Sequence, residues 1–363
     1  MPEDGENKAF RAYRFGSLMP NTGGIFMPTR NGNTIFLPTR PAITGNAAVV
    51  GKKEGEGPLK NEFDKIYDDE FVGCETFEKA ETALLKDAIT RALEKANESP
   101  ENVNLTLSGD LLNQCIGSSF GLRDLKMPFA GLYGACSTMA LSLGLAATLT
   151  DGGALGLAVA ATSSHFCSAE RQYRYPLEYG GQRTPASQWT VTGAGAAVVK
   201  GNVGGAPRVD AVIFGKVCDY GVTDQNNMGA AMAPAAADTI ASFLKDTNSV
   251  PEDYDIILTG DLGKTGSRLL KELLLKENGI DISAVHNDCG LMIFDLDGQD
   301  VHSGGSGCGC SASVVCSYIL NRLKTKELNR VLFVATGALL SPTSMLQGES
   351  IPAIAHGVLL SSD

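Results

Sequence analysis

The chain has 363 residues, 43% of them hydrophobic and 20% charged, a composition that excludes a disordered or fibrous polypeptide and allows one large domain or two ordinary ones. A net charge of −11 excludes nucleic acid as the main partner, because phosphate backbones are held by clustered Lys and Arg. Nine cysteines, an odd number behind a start too polar for a secretory apolar core, predict reduced thiols in a cytosol-like compartment.

Residues 1–45 read as an irregular extension rich in Pro and Gly. Inside it, IFMPTR at 25–30 is echoed by IFLPTR at 35–40 across an Asn-Gly turn signal, which predicts either a hairpin or strand-like arm, or a loosely packed extension.

From 46 to 205 short apolar strands alternate with helices. Residues 75–97 place Phe77, Ala80, Leu84 and Ala88 on one helical stripe, widened by Leu85, Ile89, Ala92 and Leu93, so this is an amphipathic surface helix. Next come a strand at 103–107, a helix at 111–125, a strand at 129–134, a helix at 137–151 and a strand at 155–163. Residues 131–150 carry no charge, a length that tempts a membrane-spanning reading. Their Gly, Ser and Thr content, a strand-to-helix break near Gly134 and the lack of basic flanks predict a helix enclosed by protein instead.

From 206 to 363 the order repeats: a strand within 208–219, a Gly/Met/Ala loop at 224–236, a helix at 235–246, a strand at 256–260 and a helix at 266–279. An apolar strand at 290–295, a Gly/Ser/Cys turn, a helix at 311–323 and a strand at 330–337 complete it. LTLSGDLL at 105 is echoed by IILTGDLG at 256, an offset of 151; ACSTM at 135 and VAAT at 159 are echoed by GCSAS at 309 and FVAT at 333, both offset by 174. Two similar α/β halves follow, packed face to face with charge-poor helices between their sheets.

Cys136 opens the first of those helices. A sulfur at a strand-to-helix turn lies near unpaired N–H groups and the positive helix end, which lowers a thiol pKa and suits a nucleophile. The other reading is a small residue where a strand turns tightly into a buried helix. Zinc held by HNDC (286–289), His302 and CGC (308–310) is disfavoured by the C-x-C spacing, and a Cys308–Cys310 redox pair by the same argument. His286 and His356 read as structural histidines.

A duplicated α/β chain with this cysteine resembles the thiolase and ketoacyl-synthase superfamily, which implies a thiolase-like fold layered α/β/α/β/α. There the cysteine is acylated, with His/His or His/Asn partners from the second half. The corresponding positions here read LTGDLG (258–263), whose ionisable group is Asp261, and GSGCGCSAS, where Cys308 stands for the His or Asn. The resemblance therefore implies a protein that is not an enzyme; the alternative is an acyltransferase or ketoacyl synthase acting through Cys136.

A closer set of motifs, GDLLNQ, YGACST, AATSSH, AERQYRYPLEYGGQ, TVTGAGAAV, MGAAMAPAAADTI, DYDIILTGDL, HNDCGLMI, GGSGCGCSA, VATGALLSPT and SIPAIAHGV, resembles in that order the stage V sporulation protein AD family over roughly residues 33–360. That resemblance implies binding of dipicolinate, with or without Ca²⁺, uptake of it into the developing spore, and a role in spore germination. It also implies membrane proteins of the same operon as partners, a homodimer, and a place in the cytoplasm or peripheral to the spore inner membrane with no transmembrane segment. No cofactor is implied.

A flat dicarboxylate wants donors at both ends. The loop 163–185 offers His165, Arg171, Arg174 and Arg183 among Tyr173, Tyr175 and Tyr179, as pocket wall or as dimer contact. Backbone N–H groups at Cys136–Ser137 suit an anion, and Asp261 suits an accompanying Ca²⁺. Asn226 and Met228 from the Gly/Met/Ala loop, His302 and Cys308 complete the candidate ligand site.

Overall fold

The computed structural model describes residues 27–173, 183–201 and 203–363. A hairpin comes first, β1 (Thr29–Asn31) and β2 (Thr34–Phe36), turning at Gly32 with φ of +57°. Residues 25 and 26 of the IFMPTR echo lie outside the described residues, and the remainder forms the hairpin of the first reading.

The first half contributes β3 (Ala42–Val50), α1 (Phe77–Lys95), β4 (Leu105–Gly109), α2 (Ile116–Leu125), β5 (Phe129–Gly131), α3 (Thr138–Asp151), β6 (Leu157–Ser164), α4 (Phe166–Tyr173) and β7 (Gly193–Lys200). The second half contributes β8 (Arg208–Phe214), α5 (Met228–Thr247), β9 (Ile256–Thr259), α6 (Gly263–Leu273), β10 (His286–Asp288), α7 (Cys308–Val314), β11 (Arg330–Ala338) and β12 (Ala353–Ser361).

The strands fall in the order β3-β7-β6-β4-β5 in the first half and β8-β12-β11-β9-β10 in the second. In both, the first three strands pair antiparallel and the outer pairs are parallel. The duplication written in the sequence is thus a duplication of topology. β3 and β8 meet through a single pair, Ala42 with Arg208.

α3 packs on strands of both halves, which is why it is starved of charge: Met139, Leu143, Ala146 and Ala147 are fully buried. Its one charge, Asp151, sits at the last turn and accepts from the N–H and hydroxyl of Thr39. α7 lies beside α3 against β3, β6 and β7. α1 covers the outside of the first sheet, and α5 that of the second, where α6 packs against α5. No helix of the described residues is long and apolar enough to cross a membrane.

Three expectations shift. The strand expected at 290–295 is a helical turn, Cys289–Met292, preceded by β10. Gly290 there approaches the Gly305 carbonyl so closely that a Cβ would stand 2.4 Å from it, a contact an extended apolar strand would not make. The loop at 224–236 is helical from Met228, with Pro234 inside α5, because burial of its Ala and Met side chains outweighs the Gly and Pro signals. Finally β3 begins at Ala42, ahead of the boundary drawn at 46.

Candidate functional site

β5 leads through Gly134 into a short 3-10 turn, Ala135–Ser137, and then α3. Three side-chain bonds tie this elbow: Ser137 Oγ donates to the Gly134 carbonyl at 2.6 Å, Thr138 Oγ1 to that of Ala135 at 2.7 Å, and the Gly134 N–H to Thr138 Oγ1 at 3.2 Å. Ala135 takes the left-handed backbone at φ 48°, a conformation that costs a non-glycine residue about 1 kcal/mol and persists where surroundings enforce it. The enforcing neighbour is β11. A Cβ on Gly337 would lie 2.1 Å from the Gly134 carbonyl, so only glycine lets the two halves meet here.

Beneath Cys136 lies Asp261, fully buried. Its carboxylate accepts from the Gly307 N–H at 2.8 Å, Thr336 Oγ1 at 3.2 Å and Ser306 Oγ at 3.3 Å, and is hydrogen-bonded to the Cys136 thiol. Burial pushes this acid up to about 7. Burial first, and then the charge of Asp261, raise the thiol of Cys136 well above the ordinary range. The helix-start geometry that would favour a thiolate is therefore overruled by desolvation and a neighbouring acid.

Above Cys136 is a slot of ≈ 480 Å³ counting its open mouth. Leu111, Ala169, Met228 and Leu340 form apolar sides; Tyr133, Tyr173, Glu170, Thr190, Gln225 and Ser306 bring the polar atoms. Tyr173 donates to the Leu111 carbonyl at 2.6 Å and its hydroxyl lies 3.1 Å from that of Tyr133. Glu170, 5% exposed, accepts from Thr190 at 3.0 Å.

Of the residues expected at the site, Cys136 and Met228 line the slot. Asp261 lies below it, engaged by four donors; among the described residues no group of three or more His, Cys, Asp or Glu is arranged to hold a metal. Ser137 is fully buried with its hydroxyl turned back to Gly134. Cys308 packs in the same apolar cluster as Cys136, yet it is sealed, its thiol donating to the Ser163 carbonyl at 2.9 Å.

The remaining expected residues lie elsewhere. Asn226 belongs to an Asx turn on Asp224, and its neighbour Gln225 reaches the slot instead. His165 faces α1 and the Glu70 carbonyl at 2.7 Å, buried so that its pKa is lowered. Arg171 pairs with Glu78 on α1. Arg183 pairs with Asp300 at 2.6 Å, and His302 bonds the Thr184 carbonyl at 2.7 Å. Arg174, with Tyr175 and Tyr179, lies outside the described residues. None of the four histidines lines the slot.

Sequence reasoning passed over Tyr133, Glu170, Thr190 and Gln225. Tyr133 carried a signal, since it stands three residues ahead of Cys136, two past the edge strand β5. Glu170 and Gln225 stand in the two loops read as pocket candidates, 163–185 and 224–236, where residue type favours the cationic residues and Asn226; Thr190 carried no signal.

The profile of the stage V sporulation protein AD family matches residues 31–361. Stage V sporulation protein AD of Bacillus subtilis (strain 168) is 50% identical over 317 residues, 87% of this chain and 93% of that protein. Among solved structures, cerulenin-bound OleA of Xanthomonas campestris is similar with a TM-score of 0.58 at 14% identity, over 92% of this chain and 99% of that one. The 3-oxoacyl-[acyl-carrier-protein] synthase III of Aquifex aeolicus VF5 is similar with a TM-score of 0.53 at 13% identity, over 88% and 99% respectively. At such identities these two establish a shared thiolase-like fold.

Proposed function

The chain belongs to the stage V sporulation protein AD family, and from that premise we propose that it is a non-catalytic, thiolase-like binding protein for dipicolinate. The observation that carries this reading is the neighbour of Cys136. An acylating cysteine needs a base or cation to hold its thiolate, and Cys136 has a buried acid in that place. What survives of the enzyme plan is the slot. It is narrow, floored by sulfur, apolar along its sides and supplied with phenol, amide and hydroxyl groups at its edges, which suits a flat ring bearing carboxylates.

The ligand is a dianion, and Glu170 in the wall is an acid, so the charge needs a cationic counterweight. Calorimetric titration therefore has two arms, dipicolinate alone and dipicolinate with Ca²⁺. Saturable heat in either arm supports the reading, and silence in both overturns it. We assign the protein to spore maturation and germination as a homodimer, peripheral to the spore inner membrane beside membrane proteins of its own operon. The second reading, acyl transfer through Cys136, draws on the enzymes that share the fold. Incubation with acyl-CoA and intact-mass measurement should return the unmodified mass; a stoichiometric adduct lost in Cys136→Ser would establish the enzyme instead.

A further inference from the structure

Trp189 is the only tryptophan of the chain. Phe166 stacks on it with ring centroids 3.8 Å apart and planes 8° from parallel. Lys53 Nζ stands 3.8 Å from its ring centre and the Arg183 guanidinium carbon 4.7 Å. Each cation is drawn to the ring's quadrupole, but together they repel. Burial first, and then Arg183, lower the pKa of Lys53, although Asp300, Glu54 and Glu56 act on it in the opposite sense.

Asp300 is the carboxylate in direct contact with this cluster, and it serves it unevenly. Asp300 Oδ2 is 2.6 Å from Arg183 and Oδ1 is 3.0 Å from His302 Nε2, while the Asp300 backbone carbonyl accepts from Arg183 Nη2 at 3.0 Å and from Lys53 at 3.4 Å. The Asp300 side chain is 72% exposed, so water competes freely for it. Arg183 Nη1, in contrast, is buried and has no acceptor among the described residues. A buried guanidinium N–H without a partner costs free energy that an added oxyanion recovers.

We propose that Lys53, Arg183 and Trp189 form a binding site for a small dicarboxylate, separate from the slot, in which Asp300 stands in for one of the ligand's carboxylates. One carboxylate takes the place of Asp300 on the Arg183 fork and the other reaches Lys53. Arg supplies the planar fork that matches a carboxylate, and Lys a point charge on a flexible stem. The slot is not involved: Thr190 lines it, whereas the cation cluster forms around the adjacent Trp189.

The single indole makes the test direct. In ¹⁵N-labelled full-length protein the Trp189 indole N–H gives one side-chain resonance, titrated with succinate against chloride at matched ionic strength. The expected result is a saturable shift with succinate alone. Lys53→Gln and Arg183→Gln should each weaken binding about tenfold or more, a loss of about 1.4 kcal/mol. Asp300→Asn should tighten it, because it removes the competitor while keeping the backbone carbonyl. That gain separates ligand recognition from a purely structural role, which predicts no tightening. A shift that chloride reproduces, or an Asp300→Asn variant that binds more weakly with an otherwise unchanged spectrum, would overturn the proposal. Ala169→Leu, which fills the slot, should leave the succinate shift intact, so this site and the slot fail or stand independently.

Discussion

Asp261→Asn should gain resistance to urea over the wild-type chain progressively as the pH rises from about 4 to about 7. Below pH 3.8, the ordinary value for this acid, folded and unfolded chains both hold the proton. Between there and about 7 the unfolded chain has released it while the buried carboxyl keeps it, so the folded state binds more protons and loses stability with each step in pH. Each unit is worth about 1.4 kcal/mol, giving an effect on the order of 4 kcal/mol across the window. Above about 7 the contribution is flat. Asparagine keeps one acceptor for Gly307 and Ser306 and turns its amide to Thr336, so neutrality is gained without emptying the site. Glu54, raised to about 7 by burial, and Glu81, raised by burial and by Asp110, bend the curves of both proteins in the same direction, while His286 and His356, lowered to about 4 by burial, bend both the other way. The difference between the two proteins therefore reports Asp261. Urea midpoints of the two proteins at half-unit pH intervals decide it, and parallel curves would show that Asp261 is ionised throughout.

Ala169→Leu should abolish dipicolinate binding in the slot, by a factor of about a hundred or more, while the fold survives. The reason is volume. Ala169 stands in the wall of the slot beside Cys136 and Tyr173, so three added carbon atoms occupy the room that the ring needs. Ala169 is buried beside Leu111, Ala135 and Cys136 at the wall of the slot, so the overpacking cost should lie within the usual ~1–3 kcal/mol. Hundredfold weaker binding corresponds to about 3 kcal/mol. Calorimetry beside a thermal melt separates the two effects: lost heat with a kept transition supports the slot as the site, and retained affinity places the ligand elsewhere.

The layout of the halves was legible because hydrophobic periodicity and repetition report topology, and the offsets of 151 and 174 map onto β4 with β9 and β6 with β11. The strand expected at 290–295 failed because a short apolar run does not say whether it extends or coils, and Gly290 is decided by a backbone contact far away in sequence. At the site, Cys136 was legible from its small neighbours and Met228 from its loop. His165, Arg171 and His302 were suggested by residue type and nearness in sequence, and each is claimed by a local partner that no sequence pattern announces. Glu170 is drawn into the wall by Thr190, a pairing that exists only once α4 is folded.

The hairpin at the start of the chain bears on how the protein is made. β2 does not complete its pairing with anything synthesised near it: Phe36 lies opposite Ala211 and Ile35 opposite Val212. Asn33 and Thr34 are held by Asp246, later still. On the ribosome these early residues wait for roughly 170 to 210 others before their partners emerge, at 5–20 residues per second a delay of order ten seconds or more. Such high contact order makes for slow folding with an open strand edge in the interval. The two halves look like separable units from their topology, but the second is edged by β2, a strand translated before any strand of the first sheet.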